Sequence, residues 1–87
     1  MSSETEVGVV RHFFDKIDVV AVELTQGELA VGDTIHIKGH TTDVTCPVGS
    51  LQLEQTKLQK AVAGQNVGIK IVGKAREHDK VFKVLPG

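Results

Sequence analysis

The sequence predicts an all-β fold, a small closed antiparallel β-barrel of six to seven strands. Valine is the most frequent residue, while the aromatic residues are three Phe, with no Trp and no Tyr. β-Branched side chains favour the pleated surface of a sheet. Nine glycines are scattered through the chain, mostly where apolar runs end, as turns require. Several short segments alternate apolar with polar residues, and closing such strands into a barrel removes exposed sheet edges.

Length and composition allow one domain. The chain has 87 residues, of which 40% are hydrophobic and 24% are charged, a balance typical of a globular fold. We expect residues 1–6 to form a disordered N-terminus and residues 7–85 to form a single barrel domain. The lone Cys46 excludes an internal disulfide, and the first residues lack the pattern of a secretion signal. We therefore expect a cytoplasmic protein that has no contact with a membrane.

The first half of the chain contains two predicted strands and a loop. Residues 7–14 form the first strand, and a tight connection leads into residues 17–24. Both faces of this second segment are largely apolar, which is typical of a strand buried on both sides. Residues 25–33 are predicted to be a loop whose Leu29 and Val31 tuck under the core.

The remaining elements follow from alternation and from turn residues. Residues 57–63 are compatible with one helical turn, which Gly64 ends. Apolar residues recur at every second position elsewhere, and this pattern points them to one face of a sheet. Further strands are predicted at residues 33–38, 48–54, 66–72 and 80–85, with a short edge strand within residues 40–47.

The predicted binding face leans towards positive charge. Residues 44–87 carry seven basic and three acidic side chains, whereas residues 1–43 carry three basic and eight acidic ones. A basic face can contact phosphates, although a plain solvated barrel exterior is the alternative. Without Tyr or Trp for base stacking, contact with RNA would depend on shape and on backbone charge. The candidate binding residues, taken from outward strand positions and from the loop after residue 72, are His36, Lys38, Gln52, Glu54, Lys70, Lys74 and Arg76.

One segment approaches the pattern of a phosphate-binding loop. Residues 68–75, GIKIVGKA, match G-x-x-x-x-G-K but lack the Ser or Thr that follows. Ala75 offers no hydroxyl to a magnesium ion, the residues between the glycines predict a strand, and no helix is predicted after them. We therefore predict no nucleotide binding and no cofactor.

A few polar residues are of the types used in metal binding and catalysis. His36, His40, Asp43 and Cys46 are ligand types that suit zinc, but no paired Cys-x-x-Cys or helical His-x-x-x-His pre-orders them. Cys46 has no base positioned against it, and Ser50 lacks the strained elbow of a serine nucleophile. We predict no metal site and no enzyme activity.

Two segments resemble a known protein family. Residues 27–37, GELAVGDTIHI, resemble the G-x-L-x-x-G-D-x-[IV] signature in the second domain of translation GTPases of the elongation factor Tu type. Residues 61–69, AVAGQNVGI, resemble the A-x-A-G-x-N-V-G segment of the same barrel, and residues 76–81 resemble its closing loop in shortened form. The likeness spans residues 7–85. It implies a six- or seven-stranded antiparallel barrel without a nucleotide site, because the GTPase of those factors is a separate domain.

The resemblance implies a binding module and leaves its partner open. The family barrel helps hold the aminoacyl end of transfer RNA and touches the ribosome. Gln52 stands where the elongation factor has a glutamate that lines the terminal-adenosine pocket, and Glu54 stands where it has a phenylalanine. The chain is similar to stand-alone elongation factor-like barrels, and a related barrel forms the C-terminal module of some bacterial collagenase-like peptidases.

Two functions follow from this comparison. We expect a non-catalytic, translation-factor-like module that contacts RNA or a ribonucleoprotein such as the ribosome. The alternative is a protein-binding accessory subunit or domain of a peptidase-like or RNA-modifying enzyme. A small metal-dependent enzyme is a third hypothesis, which depends only on the zinc-type residues above.

Overall fold

The computed structural model describes residues 3–54 and 56–85, which form ten β-strands and no helix. The prediction of an all-β fold is confirmed. Within the described residues, no helix is long and apolar enough to cross a membrane. The strands are β1 (Ser3–Phe14), β2 (Val19–Leu24), β3 (Glu28–Ala30), β4 (Thr34–Lys38), β5 (Asp43–Pro47), β6 (Leu51–Leu53), β7 (Thr56–Leu58), β8 (Lys60–Val62), β9 (Asn66–Lys70) and β10 (Lys80–Leu85).

Eight strands form one antiparallel sheet, and two short strands join its margins. The large sheet has the order β5-β4-β10-β1-β2-β9-β6-β7, while β3 pairs with β8 in a second sheet, here called the bridging sheet. Next to the bridging sheet, the Val31 amide donates to the Gln59 carbonyl beyond β7 at 2.9 Å. The Gly32 amide donates to the Val48 carbonyl beyond β5, also at 2.9 Å. Backbone hydrogen bonds therefore link residues beyond both margins of the large sheet, as the predicted barrel requires.

The first strand bends twice to pair with two neighbours. Its register shifts between Glu6 and Gly8 against β10, and between Val10 and His12 against β2. Such bulges increase local twist and curve a strand. Gly8 sits at one of them, where a Cβ would lie 2.5 Å from the carbonyl oxygen of Glu23. This close approach of two strands requires glycine.

The barrel interior is aliphatic. Inward positions of β4 and β9 hold the β-branched residues that alternation predicts, and Phe13 packs only at the margin of the core. Burying each aliphatic side chain contributes about 1.5–3 kcal/mol. The side chains with 0% exposure are Val10, Val20, Val22, Leu29, Ile35, Ile37, Ala61, Ile69 and Val81.

The second strand differs from its prediction. It begins at Val19 rather than at residue 17, after a turn in which Asp18 has a φ of 55°. Val20 is buried, whereas its neighbour Val19 is only partly buried and Ile17 in the turn is 58% exposed. The strand is hydrogen-bonded along both edges, and its outward residues Val19, Ala21 and Glu23 are only partly buried. Its apolar outer residues are therefore not evidence of burial on two sides.

The bridging sheet replaces a predicted loop and a predicted helical turn. Leu29 on β3 stands opposite Ala61 on β8, and both are fully buried. Val31, which was expected under the core, is 37% exposed. A strand of three residues is too short to show a period, so the pairing could not be predicted from alternation.

The N-terminal prediction was wrong for residues 3–6. They belong to β1 and pair with the last strand, with Ser3 opposite Leu85 and Glu6 opposite Phe82. Backbone hydrogen bonds to β10 hold these residues in the sheet. Such bonds do not depend on apolar side chains, so the polar sequence did not predict the strand. Residues 1 and 2 lie outside the described residues. A single domain over residues 7–85 stays a prediction.

Candidate functional site

The structure separates the predicted strand residues into two groups. His36 and Lys38 lie on β4, whereas Gln52 lies on β6 and Lys70 on β9. Strands β10, β1 and β2 stand between β4 and β9 in the sheet. The outward positions of these strands therefore do not form one continuous binding strip.

Glu54 is placed apart from the basic residues. It follows β6 in the turn before β7 and has a φ of 48°. Its neighbour Gln52 pairs with Gly68 in the middle of β9. Neither side chain lines any of the cavities described below, and their role as binding residues stays a prediction.

One end of the barrel carries four of the basic candidates. We call it the hairpin end; it consists of the β1–β2 turn (15–18), the β4–β5 turn (39–42) and the loop 71–79. The Ile71 amide donates to the Asp18 carbonyl at 2.9 Å, which ties the loop to the first turn. Two of the basic candidates, Lys38 and Lys70, end the strands that lead into these turns, and the other two, Lys74 and Arg76, lie in the loop itself.

A buried carboxylate fixes the base of this loop. Asp79 is 6% exposed, and its Oδ2 accepts a hydrogen bond from the Arg76 amide at 2.8 Å. The Asp79 carbonyl accepts from the Val10 amide, and the His78 amide donates to the Val10 carbonyl, both at 2.8 Å. A Cβ added at Gly39 would overlap the Asp79 carboxylate, so the β4–β5 turn packs directly on it. These contacts hold the Arg76 backbone in place beside β1.

A groove runs along the hairpin end, and we call it the Phe13 groove. It consists of three cavities that all border Phe13 and Asp15. The largest, of about 570 Å³, lies between His12 and the loop residues Arg76 and Glu77. Phe13 is half-buried, so its ring forms an apolar floor that solvent and a ligand can reach.

The two smaller cavities differ in chemistry. One of about 340 Å³ lies beside Lys74, Arg76 and the hydroxyl-bearing residues Thr41 and Thr42. The other, of about 230 Å³, is lined by His12, Phe13, Phe14, Asp15, Lys16 and Ile17. One part of the groove is therefore cationic and polar, while the part at the hairpin tip is mostly apolar.

Ion pairing differs among the basic residues of the groove. Among the described residues, neither Lys74 nor Arg76 forms an ion pair. His12 lies 3.6 Å from Glu77, and both side chains are more than half exposed. Asp15 is the one carboxylate that borders all three cavities. Lys74 and Arg76, two of the predicted binding residues, thus border the same cavity.

His36 has a structural environment of its own. Its Nε2 lies 2.5 Å from Asp43 Oδ1 on β5, and its Nδ1 lies 2.7 Å from Glu4 Oε2 on β1. The hydrogen bond to Asp43 raises the pKa of the imidazole most; burial lowers it, and the Glu4 carboxylate raises it further. Both ring nitrogens are occupied, so this side chain links three strands and has no nitrogen left for a partner.

The zinc-type residues do not converge. Cys46 is 5% exposed and stands opposite the buried Ile35, so it faces the barrel interior. His36 faces outwards, and its two carboxylates occupy different ring nitrogens, so they cannot share one metal ion with it. Within residues 3–54 and 56–85, no group of three or more His, Cys, Asp or Glu side chains is arranged to hold a metal.

Two groove residues were missed by sequence analysis. Phe14, at the end of the first predicted strand, and Ile17, at the start of the second, are 46% and 58% exposed. Alternation predicts which face of a sheet a side chain points to. It does not show whether the residue lies within the buried core or at the exposed end of the barrel. A signal was nevertheless present, because an Asp-Lys pair stands between Phe14 and Ile17 and is typical of a solvent-exposed turn.

Comparison with known proteins places the chain among translation-type barrels. A family model described as elongation factor Tu domain 2 matches residues 18–83. A protein named collagenase from Porphyromonas gingivalis is 35% identical over 81 residues, which cover 92% of this chain and 22% of that protein. A protein named an uncharacterized protease from Methanocaldococcus jannaschii is 38% identical over 78 residues, 88% of this chain and 19% of the relative. The chain spans about a fifth of the length of these curated relatives.

Solved structures show the same fold. The C-terminal domain of a U32 peptidase from Geobacillus thermoleovorans superposes with a TM-score of 0.82 at 18% identity, covering 88% of this chain and 89% of that one. GDP-bound aIF5B from Aeropyrum pernix superposes with a TM-score of 0.67 at 18% identity, covering 94% of this chain and 15% of that one. The predicted translation-protein barrel is confirmed. At these identities the likeness shows the fold alone.

Proposed function

We propose that this chain, which belongs to the elongation factor Tu domain 2 family, is a non-catalytic barrel that serves a peptidase-type protein as a protein-binding accessory unit. One observation carries the proposal. Proteins named collagenase and protease are 35–38% identical to this chain over 88–92% of its length. Because the chain matches only about a fifth of each relative, we carry over an accessory role and not proteolysis.

The geometry supports binding rather than catalysis. Cys46, the one thiol, faces the aliphatic interior, where no substrate can reach it. At the hairpin end, by contrast, the Phe13 groove offers apolar surface beside Lys74 and Arg76. A groove with a few placed polar groups is a common form of binding site. We also propose a cytoplasmic location, because a single Cys cannot form an internal disulfide.

Binding of RNA or the ribosome stays a prediction from the sequence. The likeness to aIF5B shows the fold alone, and the relatives reported above at 35–38% identity are named as a collagenase and a protease. The basic residues at the hairpin end are interspersed with Asp15, Asp18 and Glu77, which would repel a phosphate backbone. A protein partner is therefore the better supported proposal.

The test is direct binding to the peptidase-type protein of the same organism. Isothermal titration calorimetry with both purified proteins should show saturable 1:1 binding that weakens modestly between about 50 mM and 200 mM salt. Ribosome co-sedimentation at the same two salt concentrations serves as the comparison. Absence of calorimetric binding, or salt-sensitive migration with ribosomes in its place, would contradict the proposal.

A further inference from the structure

We propose that the Phe13 groove binds an extended peptide segment that carries a carboxylate next to an apolar side chain. The carboxylate would be held by Lys74 and Arg76, and the apolar side chain would lie against Phe14 and Ile17. This inference rests on the proposed function, because it names the part of the protein partner that the barrel recognises. It goes beyond that function in assigning the residues and the chemical class of the ligand.

The cationic part of the groove suits a carboxylate. Lys74 and Arg76 share the cavity of about 340 Å³ with Thr41 and Thr42, whose hydroxyls can donate hydrogen bonds. Asp79 is the nearest buried acid along the chain, but its Oδ2 accepts from the Arg76 backbone amide. The Arg76 side chain forms no ion pair with any described residue. A guanidinium in this situation binds a planar carboxylate through two hydrogen bonds.

The negative charges around the groove limit the ligand to few charges. Asp15 borders every cavity of the groove, and Glu77 borders the largest. A nucleic acid strand places a phosphate at every nucleotide, so its neighbouring phosphates would meet these two acids. A single carboxylate in the cavity of about 340 Å³ meets Asp15 as well, but Lys74 and Arg76 outnumber that acid there, and Glu77 does not border this cavity. The charge pattern therefore favours a peptide over RNA.

The apolar part of the groove provides the second contact. Phe14 and Ile17, which line the cavity of about 230 Å³, are 46% and 58% exposed. Exposed apolar side chains that cluster beside a cavity mark interaction sites more often than scattered ones do. The adjoining cavity of about 230 Å³ has room for one large apolar side chain.

The continuity of the cavities favours an extended segment over a compact small molecule. All three cavities border Phe13 and Asp15, so the cationic part and the apolar part lie side by side at the hairpin end. An extended peptide advances about 3.3 Å per residue. An extended segment can therefore present a carboxylate and a neighbouring apolar side chain to two adjoining cavities.

The experiment uses a defined peptide and matched variants of the whole chain. The probe is a fluorescein-labelled heptapeptide with Glu-Leu-Phe flanked by Gly and Ser, and the control peptide has Gln in place of Glu. Anisotropy should show saturable binding of the Glu peptide that is about tenfold tighter than that of the Gln peptide. The Lys74→Gln/Arg76→Gln variant should lose this preference. Lys57→Gln/Lys60→Gln removes the same charge from strands that border none of the three cavities and should bind like the wild type.

The apolar contact is tested separately. Ile17→Ser should weaken binding of the Glu peptide about tenfold, while Val62→Ser, an exposed valine on β8, should leave it unchanged. Both positions are exposed, so the variants should keep the circular dichroism spectrum of the folded wild type. Equal binding of both peptides, or full binding by Lys74→Gln/Arg76→Gln, would overturn the proposed site.

Failure of this inference can be told apart from failure of the proposed function. If the groove variants bind the peptidase-type protein as tightly as the wild type, the groove proposal is overturned and the accessory role stands. If the wild type binds the Glu peptide but not that protein, the groove is supported and the proposed partner is wrong. Tighter binding of a labelled single-stranded RNA than of the Glu peptide, lost in Lys74→Gln/Arg76→Gln, would overturn the peptide proposal.

Discussion

Apolar side chains are covered at the bridging sheet but uncovered at the hairpin end. In the bridging sheet, Leu29 and Ala61 face each other with 0% exposure, and Glu28 and Lys60 form an ion pair of 2.9 Å outside them. At the hairpin end, Phe14 and Ile17 stay about half exposed, and within residues 3–54 and 56–85 the loop cations Lys74 and Arg76 form no ion pair. Both regions connect strands of one barrel. They differ in whether their apolar side chains are buried and in whether their charged side chains are paired.

The bridging sheet stabilises the barrel, whereas the hairpin end has exposed side chains that can bind a partner. The bridging sheet joins the margins of the large sheet, and its residues contribute to the barrel through burial. The hairpin end is instead held from below by the Asp79 carboxylate and by backbone hydrogen bonds, which leaves its outer side chains unused by the fold. Substitutions of buried side chains in the bridging sheet should therefore change stability, and substitutions of exposed side chains at the hairpin end should change binding.

Removing the buried side chain of the bridging sheet should have the largest effect. We expect Leu29→Ala to lower the free energy of unfolding by about 3 kcal/mol, because it leaves a cavity beneath a three-residue strand. Urea unfolding measures the change. The control is Val62→Ala on β8, where the side chain is 46% exposed and the expected loss is below about 0.5 kcal/mol. Equal losses for the two variants would remove the distinction between the covered and uncovered sides of the bridging sheet.

Displacing the carboxylate under the hairpin end should affect stability and binding together. A methyl group at Gly39 would overlap the Asp79 carboxylate, so we expect Gly39→Ala to push it away from the Arg76 amide. The expected loss is about 2 kcal/mol, from crowding and one broken buried hydrogen bond. Denaturant unfolding and binding of the Glu peptide measure the two effects.

The matched control for this substitution is Gly49→Ala. A Cβ at Gly49 would have no atom within 4 Å, so the variant should unfold and bind like the wild type. If Gly39→Ala lost stability but kept full peptide binding, the position of the loop would not depend on Asp79. The Asp79 carboxylate would then not hold Arg76 in place for binding.

The link from His36 to β1 and β5 should make stability depend on pH. The hydrogen bond to Asp43, and then the Glu4 carboxylate, raise the pKa of His36 above its ordinary value of 6.5. The imidazole binds its proton more tightly in the folded chain than in the unfolded chain. Protonation of His36 therefore stabilises the fold, and this contribution is complete below pH 6.5. It is lost as pH rises through the higher folded pKa. We expect a difference on the order of 1 kcal/mol across this range, because two charge-assisted hydrogen bonds weaken.

Urea unfolding of the wild type and of His36→Gln from about pH 5.5 to pH 8.5 measures this dependence. The wild type should lose its advantage over His36→Gln as pH rises. His40→Gln, which changes an exposed histidine of the β4–β5 turn, should keep the pH dependence of the wild type. A wild-type advantage that grows with pH would contradict the assigned sign.

The sequence predicts the barrel better than its binding end. Alternation predicted strands at residues 33–38 and 80–85, which are observed as Thr34–Lys38 and Lys80–Leu85, because strands of five or six residues show their period. The bridging sheet could not be predicted from strands of three residues whose partners lie about thirty positions apart. Lys74 and Arg76 were predicted as loop cations, but the cavity they share depends on a turn at residues 39–42 that is distant in sequence.

The smallest expected change in stability is at the tip of the hairpin. Ile17 is 58% exposed, so Ile17→Ser removes little buried surface, and the free energy of unfolding should change by less than about 0.5 kcal/mol. If the groove binds as proposed, the same substitution weakens the Glu peptide about tenfold, which corresponds to about 1.4 kcal/mol in binding. A residue that matters more for binding than for folding is the expected signature of a side chain that the barrel leaves uncovered for a partner. If Ile17→Ser instead destabilised the barrel as much as Leu29→Ala does, the tip would belong to the core, and the contrast between the two regions would fail.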